Sequence, residues 1–180
     1  ANDFAEIYLC CGLLHDLGKY SKGFQKYIRS NGNKEPHARW GAYMARMNKL
    51  INIAFPVIGH HAGLPNRDAM FEDLEICAKD GNRWNEIQRA MEEDKAIIPI
   101  CDNSPFDKIG DVFQKELFIR LLYSALVDAD SLDTERHFKK EQFDARSSKT
   151  LDVDSLLTAL NKRFESFKQD TPLNELRTNV

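Results

Sequence analysis

The sequence predicts an all-α protein. Helical spacing of apolar residues recurs along most of its length, no segment alternates apolar and polar residues as a half-buried strand would, and glycine- or asparagine-rich breaks separate the periodic stretches. With 180 residues, 42% of them hydrophobic, the chain can bury one sizeable core, and a single compact domain over 1–180 is expected. It contains no longer-period repeat and no low-complexity segment.

The first helix is expected from Asp3 to Asp16, with Ile7, Cys10, Cys11 and Leu14 on one face and Gly18 beyond its end as a C-cap. Its last turn carries His15-Asp16. Ser21 is placed to cap a short helix through Arg29, in which Phe24, Tyr27 and Ile28 share one side while Lys22, Lys26 and Arg29 lie on the other. Asn31-Gly32-Asn33 ends it. A third helix is expected from His37 to Leu50, and an apolar stretch, Ile51 to Ile58, then leads into Gly59-His60-His61-Ala62-Gly63-Leu64-Pro65, where Gly63 and Pro65 impose a stop.

Asp68 to Lys79 and Trp84 to Glu93 read as two amphipathic helices around Asp80-Gly81-Asn82, and Pro99 to Gly110 reads as a loop. The longest apolar helix begins near Asp111 and includes Leu117, Leu121, Ala125, Leu126, Ala129 and Leu132, an arc wide enough to predict a central position. It carries Asp128 and Asp130. A last helix, Asp152 to Gln169, repeats helical spacing through Leu156, Leu157, Leu160, Phe164 and Phe167.

A net charge of -3 excludes the global basic excess that binds nucleic acid regardless of sequence by releasing counterions. Any polynucleotide must be held by local charge or by a partner. No apolar run approaches the roughly 20 residues that span a bilayer, and the N-terminus has no secretory pattern, so a cytoplasmic location is expected. Among the four cysteines, Cys10 and Cys11 are neighbours while Cys77 and Cys101 are isolated. None has Cys-x-x-Cys spacing, which predicts reduced, mostly buried thiols.

Four of the five histidines fall in three short segments, each at a helix end. Adjacent His15 and Asp16 would point about 100° apart on a helix, so that imidazole and carboxylate serve neighbouring metals. His60-His61 can project both rings from one helix end, and His37 adds a ligand from a third segment. Mixed nitrogen and oxygen ligation suits one or two divalent ions of Mn, Fe, Co, Ni or Zn rather than calcium or magnesium. Such ions activate water and offset oxyanion charge, the two needs of phosphodiester hydrolysis near neutral pH.

Each piece alone is weak: His137, among Arg136, Lys139 and Lys140, reads as a surface residue, and a His-Asp dipeptide is nearly uninformative. Their conjunction with glycine-punctuated helix ends carries the reading. Periodicity leaves the late carboxylate open, because Asp128 and Asp130 flank opposite edges of the same apolar arc, and either one, if buried, requires a metal or a basic partner. Lys19, Lys22, Lys26 and Arg29, spaced 3-4-3, would fall within about 80° on one helix, a basic stripe able to track a phosphate backbone.

The string Leu14-His15-Asp16-Leu17-Gly18-Lys19 resembles the HD superfamily of phosphohydrolases. Extended by Phe24-Gln25-Lys26-Tyr27, His37 leading to Gly41-Ala42, Gly59 to Pro65, and Leu126-Val127-Asp128-Ala129-Asp130-Ser131-Leu132-Asp133-Thr134-Glu135, it resembles the HD nuclease domain of the CRISPR-associated type I interference nuclease-helicase, over roughly Leu9 to Glu135. The resemblance implies an all-α, one- or two-metal site that cuts single-stranded DNA supplied by a helicase, alongside an RNA-guided surveillance complex. It places His15, Asp16, His37, His60, His61 and Asp130 on metal-ligand positions, favouring Asp130 over Asp128, and Lys19 where it meets the scissile phosphate.

Two departures accompany it. Many relatives carry a further histidine upstream of the His-Asp pair, and Ala1 to Leu14 contains none. No Gly-x-x-x-x-Gly-Lys-Ser/Thr loop is present, so a separate nuclease subunit or an excised domain is expected. A nucleotide phosphohydrolase and a degenerate HD binding module are the competing readings.

Overall fold

A computed structural model describes residues 4–30, 32–97, 104–146, 152–166 and 171–172. Every regular element among them is helical. The chain divides into two compact units, Ala1–Phe138 and Lys139–Val180. The first contains α1 (Ala5–Leu14), a short 3-10 helix (Leu17–Tyr20), α2 (Lys22–Ser30), α3 (Ala38–Met47), α4 (Ile51–Gly59), α5 (Arg67–Lys79), α6 (Gly81–Glu93), α7 (Ser104–Asp107) and α8 (Val112–Phe138). The second contains α9 (Lys140–Asp144) and α10 (Val153–Glu165).

The apolar stretch after α3 is itself a helix, and it forms the hub. Ile53, Ala54, Pro56, Val57 and Gly59 of α4 are buried, and the helix packs against α1, α3 and α8. A side chain such as Ile53, fully removed from water, contributes about 1.5–3 kcal/mol. Lys49 enters the left-handed region, with φ 61°, and turns the chain from α3 into α4. The buried face of α3 is small, with Gly41, Ala42 and Ala45. A Cβ on Gly41 would lie 1.8 Å from the Leu14 carbonyl oxygen, so the missing side chain lets α3 approach the end of α1.

The expected central position of α8 is not observed. Leu122 and Leu126 are buried at 0% and 6% exposure, but Leu117 and Leu121 are 58% and 53% exposed, and Val112 and Phe113 are exposed too. A wide apolar arc reports how much of a helix is apolar, not whether neighbours cover it. Its buried edge lies on α1 and α4.

Local signals explain most boundaries. Ser21 caps α2, its Oγ accepting from the Phe24 N–H at 3.2 Å. Asn66 caps α5 by accepting from the Ala69 N–H at 2.8 Å. Asp80 ends α5 and caps α6 through the Arg83 N–H at 3.1 Å, so α6 starts at Gly81, earlier than its apolar spacing indicates. Within the expected Pro99–Gly110 loop, α7 buries Phe106 against Phe118, ring centroids 5.1 Å apart. Cys10, Cys11 and Cys77 are buried; Cys101, Phe167 and Gln169 lie outside the described residues. On α10, Leu156, Leu157, Leu160 and Phe164 are exposed. No described helix is long and apolar enough to cross a membrane.

Candidate metal centre

Three helix ends deliver the histidines. His15 sits at the C-cap of α1, His37 at the N-cap of α3 and His60 at the C-cap of α4, with His61 following. His15 Nδ1 lies 2.6 Å from the Gly12 carbonyl and His60 Nδ1 lies 2.7 Å from the Val57 carbonyl. A carbonyl only accepts, so each Nδ1 donates; His60 Nε2 then keeps a lone pair for a cation, as does His15 Nε2 whenever that ring is neutral. The same three-residue spacing thus anchors both rings through the carbonyl one turn back.

Asp16 joins the segments. Its Oδ1 is 3.3 Å from His37 Nε2, while Oδ2 is 3.3 Å from His15 Nε2 and 2.5 Å from Lys19 Nζ. His37 Nε2 and His61 Nε2 face each other at 3.1 Å, and the His60 and His61 rings lie 3.9 Å apart. Asp130 Oδ1 reaches within 3.8 Å of His15 Nε2, whereas Asp128 is exposed. The candidate ligand atoms of His37, His60 and His61 lie within 4.8 Å of one another, as do those of His15, Asp16 and His60.

These residues fit a divalent cation on two counts. Buried His60 Nε2 has no hydrogen-bond partner and Asp16 Oδ1 faces the His37 ring at 3.3 Å; a buried acceptor left without a donor is costly unless something positive satisfies it. The set is also imidazole with carboxylate, the donors of transition-metal sites. His60 belongs to both groups but has one outward nitrogen, so it serves one ion at a time.

Electrostatics prepare the same groups. Burial pushes the His60 pKa down to about 4, helped by His61 and His15 and opposed by the Val57 carbonyl. Burial also lowers His61, reinforced by His37. Both rings are therefore neutral and ready to ligate at neutral pH. For Asp16, burial works against ionisation, but hydrogen bonds from His15, His37 and Lys19 overcome it and hold the carboxyl well below the usual range. His15 moves the other way: burial opposes its proton, yet Asp16, the Gly12 carbonyl and Asp130 together raise its pKa.

Gly18 is not the left-handed C-cap expected of it, since it lies within the 3-10 helix. Its requirement is space: a Cβ there would sit 2.1 Å from the His37 carbonyl oxygen and 2.8 Å from its Cα. Close backbone contact therefore sets where His37 stands. The Phe24 ring packs 4.9 Å from the His37 ring, and Glu35, two residues earlier, is tied to Arg83 at 2.5 Å and reached by Ser21 Oγ at 3.5 Å. Gly12, Val57, Glu35 and Arg83 escaped the sequence reading. The carbonyls were findable as residues three before each helix-end histidine, but the Glu35–Arg83 pair, 48 positions apart, left no local trace.

The basic stripe is divided. Ser21 is extended, with φ -64° and ψ 140°, which breaks the helix presumed to align Lys19 with Lys22, Lys26 and Arg29. Lys19 lies against Asp16, while Lys22, Lys26 and Arg29 are exposed on α2. Arg29 and Lys19 share a depression with Glu93 and Asp94, whose charges oppose a phosphate backbone. On the histidine side, a cavity of about 720 Å³ is lined by Lys19, Phe24, Tyr27, Lys34, His37 and His61 among others.

Comparison with known proteins finds a match to the family model described as HD domain over residues 1–103. That span holds His15, Asp16, His37, His60 and His61 and ends before Asp130. No curated protein and no solved structure matches the chain.

Proposed function

We propose, from the premise that this chain belongs to the HD domain family, that it is a metal-dependent nuclease hydrolysing phosphodiester bonds of single-stranded DNA in CRISPR interference, an antiviral defence. The observation that carries the proposal is the meeting of His37 and His61, at the edge of the metal centre, with a cavity that also presents Lys19, Tyr27 and Lys34. The motif string from Leu14 to Glu135 supports the DNA substrate, a helicase domain or subunit that feeds the strand, and an RNA-guided surveillance complex as partners.

His15, Asp16, His37, His60 and His61 would hold one or two divalent transition-metal ions, with Asp130 near His15. Bound there, such ions lower the pKa of water and offset negative charge developing on phosphate oxygens. The protein's own contributions are visible. Asp16 is held ionised by its neighbours, His60 and His61 are kept neutral, and the Gly12 and Val57 carbonyls fix the rings of His15 and His60. Lys19, 2.5 Å from Asp16, carries an ammonium beside the centre that attracts a non-bridging phosphate oxygen.

Purified protein incubated with circular single-stranded DNA, duplex DNA, RNA and deoxynucleotides, each with Mn, Fe, Co, Ni or Zn, tests the proposal. Linearisation of the circular single strand is expected. Phosphate release from deoxynucleotides without strand cutting would instead identify a nucleotide phosphohydrolase.

A further inference from the structure

We propose that the cavity beside His37 and His61 is a subsite for an unpaired nucleobase, stacked on Tyr27, of the strand bound at the metal centre. This inference rests on the nuclease reading above and adds to it the element that selects single strands.

The cavity, about 720 Å³, falls within the range of small-ligand sites. A row of rings leads from it to the centre: Tyr27 meets Phe24 at 5.8 Å and 63°, Phe24 meets His37 at 4.9 Å and 66°, and His37 meets His61 at 5.0 Å and 77°. Phe24 is buried, with its ring against His37 and the Lys19 ammonium 5.9 Å from its centroid; it supports rather than receives. Tyr27 is half-buried, inclined at 63° to Phe24, and lines the cavity, where its ring is placed to receive a base. Only two ring contacts separate it from His37, the reach of a nucleotide next to the cleaved phosphate.

Charge complements the ring. The acids that line the cavity are both engaged within the protein: Glu35 pairs with Arg83 at 2.5 Å and Asp73 with Arg39 at 3.2 Å. Lys34, exposed on the same wall, is then placed to meet the phosphate beyond the stacked base. The depression that Arg29 borders carries Glu93 and Asp94 instead, so the strand is directed to the Tyr27 side. A base in a duplex is already stacked and paired, and reaching Tyr27 would require flipping it out, at a cost that an unpaired strand avoids.

Fluorescence anisotropy of metal-free full-length protein, with a labelled oligothymidylate and an abasic strand of equal length, tests the subsite without any cleavage. The base-bearing strand should bind about tenfold tighter. Tyr27→Ala should bring that ratio close to one, and Tyr27→Phe should preserve it. A wild-type ratio near one, an unchanged ratio in Tyr27→Ala, or an equal loss on both strands overturns the proposal. The nuclease reading fails separately: a ratio that depends on Tyr27, in a protein that cuts no strand with any metal, upholds the subsite and removes the nuclease.

Discussion

Adding one methyl group at Gly18 should displace a candidate metal ligand, His37, on a different helix. The new Cβ would lie 2.1 Å from the His37 carbonyl oxygen, against about 3.4 Å for ordinary contact, so the backbone at His37 must retreat by about 1 Å. His37 Nε2 faces Asp16 Oδ1 at 3.3 Å and His61 Nε2 at 3.1 Å, and metal ligation tolerates errors of only about 0.2 Å. Gly18→Ala should therefore weaken Mn binding by about 10- to 100-fold and cut turnover by about 100-fold. Overpacking should also cost about 1–3 kcal/mol of stability. Gly12→Ala is the control: nothing lies within 4 Å of its Cβ position, so this helical, exposed site should be neutral or gain up to about 1 kcal/mol. Calorimetric titration of Mn, with circular dichroism to verify helix content, decides the matter. A Gly18→Ala protein that is folded and binds Mn within twofold of wild type would refute the reasoning.

Asp16→Ala removes the carboxylate that meets His15, His37 and Lys19, and should reduce strand cleavage by at least about 100-fold while the far-ultraviolet helical signal persists; undiminished cutting would remove Asp16 from the site. EDTA should silence the protein, and Mn, Fe, Co or Ni should restore it. Saturation at 100 times Kd adds about 2.7 kcal/mol, visible as a melting shift of about 5–10 °C, and activity persisting in excess chelator would contradict a metal mechanism. Burial pushes the Cys77 thiol up to about 12 from 9.0, so the folded state holds that proton more tightly than the unfolded one. Its stabilising contribution is complete below pH 9 and is lost as pH rises from 9 to 12. Site-resolved alkylation at pH 8 should leave Cys77 unlabelled until the protein unfolds, and labelling at the rate of a free thiol would contradict its burial.

Chain-local chemistry was legible because its causes are local. Helix α1, the Ser21 cap and the stop at Gly63, whose φ is 94°, follow from spacing and turn residues. His15-Asp16 and His60-His61 stood out as paired ligands at helix ends. Periodicity failed where coverage, not composition, was the question. It made α8 central although α4 is the hub, and it drew a single basic stripe across Ser21, whose extended backbone interrupts the helix.

The sequence by itself determined that the protein is all helical, where its helices break, and that those breaks carry imidazoles and a carboxylate suited to a divalent transition metal. Tertiary structure alone decided that the breaks meet, through the close approaches at Gly18 and Gly41 and the packing of α4 against both α1 and α3. It also separated two aspartates that periodicity treated alike, setting Asp130 3.8 Å from His15 and leaving Asp128 exposed. The physical reason is that spacing fixes a side chain's direction relative to its own helix axis, whereas its neighbours depend on how far and at what angle another helix can approach.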